Sequence, residues 1–394
     1  MSFPSMCSDC RETLTGQFMD FSLSEEQSML ADSIARFIDN DYDFEKRQEI
    51  AESEKGYSHE LWQTYAELGW TAVPFAEEDG GLGGGPIELM LMMEQFGRGL
   101  IVEPFLATIV LAGGVLRRTA SAEQKEQWLS GIIEGNIQAA LAFSEPQGRF
   151  EIADIATSAK ADGDKYVLNG QKNLVLNGGN DDLLIIPART SGSQSDENGI
   201  TLFAVAADSA GIERKCYATV DAHHAADITL KDVHVDAAAV LGEVGQGFAT
   251  LQAVIDEATF AVCAEAVGIM RSMHDKTVEY SKNRVQFGVP IGTFQALQHR
   301  MVDTLMACEQ TNSLLLWTAM VKTAGDPDAR KAISALKYQI GTAGRNVAQE
   351  AVQIHGAMGV TWELDIAHYF KRFTAIELLF GNADFHLNRY IELS

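Results

Sequence analysis

The hydrophobic period of the chain changes twice along its length, and this constrains the fold more than any single motif. From about residue 20 to 137 apolar residues recur at helical spacing. From about 138 to 240 they come in short β-rich runs: "QAALAFSE", "KYVLNG", "NLVLNG", "DLLIIPA" and "TLFAVAA", punctuated by Gly, Asn and Asp. From 241 to 394 the spacing is helical again, in longer runs. A period near 3.6 buries one stripe of a helix and a period of 2 buries one face of a sheet. The order therefore predicts a helical N-domain (20–137), an antiparallel β domain of sandwich or barrel type (138–240) and an antiparallel four-helix bundle (241–394). Residues 1–19 read as a disordered leader, with the folded part starting near "MDFSLSEEQ" at Met19.

Local signals agree with this division. Ser24-x-x-Gln27 and Ser121-x-x-Gln124 are capping boxes. Leu30, Ile34, Phe37 and Ile38 follow the first at helical spacing. Ser58 can cap a helix carrying Leu61, Tyr65 and Leu68, which Gly69 stops. Pro86 suits the first turn of "IELMLMMEQFG". In the last region we expect helices over 245–283, 293–324 and 328–355. Leu297, Met301, Leu305 and Cys308 would share one face of the second, and Ile333, Leu336, Ile340, Val347 and Ala351 one face of the third. "SGSQSDENG" (191–199) reads as an exposed hairpin loop.

Composition excludes several functions. Hydrophobic residues at 46% and charged residues at 22% describe a soluble globular chain. A net charge of −25 repels nucleic acid and anionic membrane, so neither is an expected partner. No apolar run reaches the roughly 18 residues of a membrane span, and the N-terminus has no hydrophobic core of a secretory signal. Five cysteines in 394 residues do not make a disulfide scaffold, so the cytoplasm is the expected compartment. Cys7-x-x-Cys10 lacks further ligands or a βαβ context, and His223-His224 lacks metal-ligand spacing and reads as a surface turn. No metal is expected. "GGLGGG" (80–85) precedes no Lys-Ser/Thr and reads as a structural turn. The nucleophile-elbow, zinc-protease and dinucleotide fingerprints are absent.

Other stretches are not explained by packing. "LAFSEPQGRF" (141–150) precedes "LNGQKNLVLNGG" (168–179). In "RVQFGVPIGTFQALQHR" (284–300), Arg284 and Phe287 flank a Gly/Pro turn, with Gln295 and Gln298 opening the following helix. In "AVQIHGAMGVTWE" (351–363), Gln353 and Gly356 stand near a helix end. Arg offers a planar cationic fork for pyrophosphate, Gln an amide edge, and Gly close backbone approach. Together they point to a bulky nucleotide cofactor.

These segments resemble the acyl-CoA dehydrogenase family. "SEPQG" is similar to its T-E-P-x-x-G-S-D, "NGQKNLVLNG" to N-G-x-K-x-W-I-T-N, "RVQFG…FQALQ" to R-x-x-F-G…Q, and "QIHGAMG" to Q-x-x-G-G-x-G. The resemblance runs from about residue 20 to the end. It implies FAD, an acyl-CoA substrate, and an electron-transfer flavoprotein as acceptor. It also implies a carboxylate that takes the α-proton while the β-hydrogen leaves as hydride. By this resemblance Arg284, Gln295, Gln353 and Gly356 reach the adenosine-diphosphate half of a flavin, largely the neighbouring subunit's, and Phe287, Ser144 and Asn382 are further cofactor-binding candidates.

The resemblance fails at the reacting centre. In "KRFTAIELLFGN" Phe380 stands where the family's commonest base, a Glu, is expected, and Asn382 where Thr is expected. At the alternative base position on the long bundle helix stands Ala258, followed by Thr259 in place of Arg. Leu174 and Leu176 replace the Trp and Thr expected beside the flavin ring, and Arg149 and Phe150 the Ser and Asp of G-S-D. Phe380 is thus expected to fill a site that no longer abstracts a proton. The chain would be the base-less small subunit of a paired dehydrogenase, a heterotetramer of lipid metabolism of the pimeloyl-CoA or steroid side-chain type, with a homologous Glu-bearing partner. Other readings remain open: a catalytic homomer whose base has moved to Asp384, Glu377 or Glu257, a flavin monooxygenase on the same fold, and a purely structural subunit. Arg149 is a candidate partner for the distal carboxylate of a dicarboxylyl-CoA.

Overall fold

A computed structural model of the protein describes residues 22–394. The leader 1–19 and the Cys7/Cys10 pair lie outside the described residues. The helical first region opens at Glu25–Asp41, where Ser24 Oγ accepts from Gln27 N at 3.1 Å and Gln27 Oε1 accepts from Ser24 N at 2.9 Å. Ser58 caps His59–Glu67, Pro86 begins Pro86–Gly99, and Ser121 forms the second capping box. Leu68 is 47% exposed, whereas Tyr65 is buried and Leu61 half-buried, because Gly69 (φ +77°) turns the chain at that point. The 80–85 glycines fold back on the preceding helical turn and its exit: Gly83 N donates to Phe75 O and Gly84 N to Val73 O, both at 2.7 Å. A Cβ on Gly81 would stand 2.2 Å from Phe75 O, so the turn has a packing reason and no phosphate cradle is needed to explain it.

The middle region is one eight-stranded sheet: β1 (Ala139–Leu141), β2 (Ser158–Asp162), β3 (Lys165–Leu176), β4 (Leu183–Arg189), β5 (Ile200–Ala206), β6 (Ile212–Ala218), β7 (His224–Asp236) and β8 (Val240–Leu241). Their order is β6-β7-β3-β2-β4-β5-β8, with β1 beside β4. The expectation of a wholly antiparallel domain needs correction. β1 pairs with β4 in parallel (Ala139↔Leu183 to Leu141↔Ile185), and β2 meets β4 in parallel at Ser158↔Arg189. Parallel neighbours need a long crossover, and the segment between β1 and β4 supplies it while carrying "SEPQGRF". The β4–β5 loop is exposed as expected. It is tied down by the Arg189 guanidinium, which donates to the carbonyls of Ala153, Gln194, Asp196 and Asn198. β3 slips register against β7 between Lys172 and Val175, and this bulge turns Leu174 (φ +49°) out of the sheet.

The last region packs the long helix Gly247–Asn283 with Gln295–Thr323, Ala329–Gln339, Arg345–His355 and Asp365–Leu378, followed by the shorter Ala383–Glu392. The expected single helix 328–355 is interrupted by a π turn at Ile340–Gly344. Its two glycines let neighbours come close: a Cβ on Gly344 would stand 2.4 Å from the Phe373 ring, and one on Gly341 2.8 Å from Ala383 Cβ. Ile333, Leu336, Ile340, Val347 and Ala351 are all buried, whereas Leu305 is 38% exposed, off the Met301–Cys308 face. Gly97 and Gly268 fix how the first region meets the bundle. A Cβ on either would stand 2.0 Å from a backbone oxygen of the opposite helix, Glu265 O or Glu94 O. That close crossing places the Glu265 side chain below the site described next.

Candidate functional site

The helix Asp365–Leu378 ends at a turn that defines one wall of a cavity. Leu379 is extended, Phe380 is left-handed (φ +59°) and Gly381 follows at φ +113°. Asn382 begins the next helix as its cap, its Oδ1 accepting from Phe385 N at 3.0 Å. This places the Asn382 side chain in a structural role and off the cavity wall. The buried Lys337 ammonium donates to the carbonyls of Ile376 (2.8 Å), Glu377 (3.0 Å) and Gly381 (2.9 Å). The buried His386 places Nε2 3.0 Å from the Phe380 carbonyl, so that nitrogen carries the proton and donates.

The cavity measures about 660 Å³ and opens between the sheet and the bundle. Phe143, Ser144, Arg149, Leu174, Leu176 and Phe380 are among its lining residues. The Phe380 ring stacks on Phe143 (centroids 6.1 Å apart, 29° between planes), and Phe150 packs on Phe385 at 5.4 Å. This corrects the expectation that Phe380 fills the site: it lines an open cavity. Phe380, Leu174 and Leu176 make this part of the wall apolar.

None of the three displaced carboxylates stands at this wall. Glu257 pairs with both Arg117 and Arg118, the latter at 2.8 Å. Burial would raise its pKa, but the two guanidiniums hold it below the ordinary carboxylate value. Glu377 is buried against Arg345, which donates Nε to its Oε2 at 3.1 Å. Asp384 is exposed on the first turn of the helix after Gly381. Of the buried carboxylates on the wall, Glu145 accepts from Lys172 Nζ at 2.7 Å and from Ala156 N at 2.8 Å. The other, Asp221, accepts from Arg372 at 2.8 Å. Burial would raise both, but their cationic partners pull them below the ordinary value, so they are poor bases.

Arg372, Asp221, Glu265 and Arg47 form a buried cluster under the cavity, which no sequence motif announced. The Arg372 guanidinium grips both Glu265 oxygens (2.5 and 2.7 Å) as well as Asp221. Arg47 donates to the Asp221 carbonyl (3.1 Å) and to His368 Nδ1 (3.2 Å). The cluster thus joins all three regions of the chain. His223 also differs from the expected surface turn: its Nδ1 lies 3.3 Å from Asp221 and the residue lines the cavity. Below, a smaller pocket holds Glu103, buried without an ion-pair partner among the described residues and raised by that burial to about 6.

Arg149 is exposed at the cavity with φ +47° and has no hydrogen-bond or ion-pair partner among the described residues. Ser144 Oγ donates to Asn173 Oδ1 at 3.0 Å.

Arg284, Phe287, Gln295, Gln353 and Gly356 lie elsewhere, and none lines the cavity. Arg284 precedes a short hairpin, Val285–Gln286 with Val289–Pro290, whose tip carries Phe287 at 93% exposure. Phe287 meets Phe294 edge-on, and Gln298 Nε2 holds the turn by donating to Gly292 O at 2.9 Å. Ile291 and Met301 share a small core with Ile354, and Tyr280 stacks on His355 at 4.2 Å, which brings the end of Arg345–His355 to the same face. Gln295, Gln353 and Gly356 are exposed there. An added Cβ on Gly356 would meet nothing within 4 Å, so its surroundings are open.

Burial of His386 has a consequence for pH. Burial, and then the Lys337 charge, push its pKa from the ordinary 6.5 down to about 3. Below pH 6.5 the unfolded chain takes up a proton that the folded chain refuses. Stability is therefore full above 6.5 and falls toward pH 3, by about 1.4 kcal/mol per pH unit for this group. His274, His355 and His368 are shifted down by burial as well, with the same sign. Urea midpoints measured from pH 7 to 4 should drop, with a shallower drop in His386→Gln.

Among the described residues no helix is long and apolar enough to cross a membrane, and no group of three or more His, Cys, Asp or Glu could hold a metal.

Comparisons with known proteins match this architecture. Family models for the acyl-CoA dehydrogenase N-terminal, middle and C-terminal domains match residues 24–136, 140–233 and 245–392. A short-chain specific acyl-CoA dehydrogenase of Megasphaera elsdenii is 30% identical, over 90% of this chain and 94% of that protein. Among solved structures, the ChsE4-ChsE5 complex of Mycobacterium tuberculosis is similar at 27% identity with a TM-score of 0.86, covering 95% of this chain and 98% of that one. The FAD complex of PigA is similar at 26% identity with a TM-score of 0.88, covering 95% and 100%.

Proposed function

The chain belongs to the acyl-CoA dehydrogenase family, and from that membership we propose that it is the base-less subunit of a hetero-oligomeric, FAD-dependent acyl-CoA dehydrogenase. The observation that carries this reading is Phe380 on the cavity wall with no unpaired buried carboxylate beside it. A phenyl ring cannot accept a proton, the buried carboxylates of the cavity wall are paired to cations, and the unpaired Glu103 lies in the smaller pocket and not on that wall. Proton abstraction α to the thioester then falls to a homologous partner that carries the glutamate. When bound, FAD supplies the acceptance of the β-hydrogen as hydride, and an electron-transfer flavoprotein is the acceptor that follows.

The residues present fit one half of the cofactor. Arg284, Gln295 and Gln353, exposed around the open Gly356 on one face, offer a cationic fork and amide edges suited to pyrophosphate and its sugar. They stand away from this chain's own cavity, as expected if they serve the neighbouring subunit's flavin. The side chains of the cavity fit the redox ring poorly: Leu174 and Leu176 donate no hydrogen bond, and the Ser144 hydroxyl is already given to Asn173. This division, with the adenosine-diphosphate half served and the ring half not, is what separates the base-less subunit from a catalytic homomer. It also favours the base-less subunit over a monooxygenase, which would need the flavin ring bound here. Arg149 remains the candidate partner for a distal carboxylate, although the exposed Glu151, Glu197 and Glu392 share the same mouth.

The test is turnover of the full chain purified alone and supplied with FAD, a series of saturated acyl-CoA thioesters and an artificial electron acceptor. No dehydrogenation is expected from the chain alone, and dehydrogenation is expected from the complex with a glutamate-bearing partner.

A further inference from the structure

The turn that carries residue 380 is held in an unusual way. A bulky residue such as phenylalanine rarely adopts φ +59° without some feature that fixes it there. Four carbonyls around the turn are bound by two buried side chains. Lys337, 1% exposed, donates its three N–H groups to Ile376, Glu377 and Gly381, and His386, fully buried, donates to Phe380. An ammonium has three donors and here meets three acceptors. Two of those acceptors belong to the last turn of Asp365–Leu378, where carbonyls are otherwise orphaned and a cation is favoured. The third, Gly381, lies beyond the break, so one side chain bridges helix end and turn. Lys337 has no carboxylate partner among the described residues, which leaves the carbonyls as its binding role.

We propose that Lys337 is a positioning residue that, with His386, clamps the turn 379–382 so that the side chain at position 380 faces the cavity. The clamp reads backbone carbonyls and no side chain at 380, so it sets the direction of whatever residue stands there. In this chain it sets Phe380 against Phe143. The inference rests on the reading that position 380 is where a catalytic carboxylate would stand, but its test needs no turnover and stands or falls separately.

The test is hydrogen exchange of the full chain, read at the amides of residues 379–386, in Lys337→Met, Lys337→Gln and Lys337→Arg. A buried charge elsewhere, Lys172 on β3, provides the control. Lys172→Met also strips a fully buried ammonium from its partners, Glu145 and Pro187 O, and Lys172 makes no hydrogen bond to this turn. The clamp predicts at least tenfold faster exchange at 379–386 in Lys337→Met, a smaller increase in Lys337→Gln, and partial restoration in Lys337→Arg, which keeps a cationic donor. Lys172→Met should leave these amides unchanged while lowering overall stability. If Lys337→Met does not fold, Lys337→Gln carries the comparison. Exchange at 379–386 that equals wild type in the folded Lys337 variants, or that rises equally in Lys172→Met, would overturn the assignment.

Discussion

Arg284→Ala in this chain should strip flavin from the assembled dehydrogenase while leaving the chain itself folded. Arg284 is exposed, and its side chain makes no hydrogen bond or ion pair among the described residues, so its removal leaves nothing buried unpaired. Substitutions of this kind usually change stability by less than about 0.5 kcal/mol. A charge-assisted fork on a phosphate contributes about 1.5–3 kcal/mol, which converts to roughly tenfold to a hundredfold in flavin retention. Arg284→Lys keeps the charge and loses the fork, so an intermediate loss is expected. The readout is flavin absorbance per assembly after gel filtration. In the function proposed above the flavin concerned belongs to the partner's site, so the loss should be accompanied by loss of the partner's turnover. Full flavin retention in Arg284→Ala would remove this face from cofactor binding.

The second large effect is on stability. Arg372→Met leaves the carboxylates of Glu265 and Asp221, each under 5% exposed, without their shared guanidinium. Removing one member of a buried ionic cluster typically costs about 3–5 kcal/mol, because the remaining charge stays desolvated and unpaired. Urea unfolding at neutral pH should show a loss of that size, and Glu265→Gln in the same background should recover part of it by removing one stranded charge. The cluster joins the helix Phe44–Ala51 through Arg47, the β6–β7 turn through Asp221, and the bundle through Glu265 and Arg372. The three regions are therefore expected to unfold together. A change under about 1 kcal/mol would mean that water reaches the cluster and screens it.

Much of the fold could be read from the sequence because hydrophobic period and capping chemistry are local. Ser24, Ser58, Ser121 and Pro86 each act where their spacing places them. What the sequence did not show depends on partners distant along the chain. The parallel pairing of β1 with β4 joins residues more than forty positions apart. The π turn at Ile340–Gly344 answers to Phe373 and Ala383 on other helices. Leu305 sits at helical spacing with Met301 yet faces outward, because spacing alone does not say how wide the buried stripe is.

The same holds at the site. Phe380 could be identified because one motif position held the wrong chemistry. Glu257, Glu377 and Asp384 were reasonable carboxylates by distance along the chain, but only the fold shows two of them spent on arginines and the third in solvent. Lys337, His386 and Asp221 belong to no motif quoted from the sequence, and Arg372 stands in "KRFTAIELLFGN" with no role read for it there. Their roles come from carbonyls and charges supplied by segments 6 to 151 positions away. Lys337 in particular reads as an ordinary polar residue on an amphipathic helix until the end of Asp365–Leu378 is seen against it.

The most direct test of the central claim, that the cavity of this chain does not itself dehydrogenate a thioester, is made on the chain purified alone. It would be supplied with FAD, freed of excess by gel filtration, and examined for both bound flavin and turnover of acyl-CoA. The account predicts little retained flavin and no dehydrogenation, with both appearing when a glutamate-bearing homologue is co-purified. One flavin per chain and turnover at a rate comparable to that of the co-purified complex would contradict it, and would mean that a base acts in this cavity from a position other than 380.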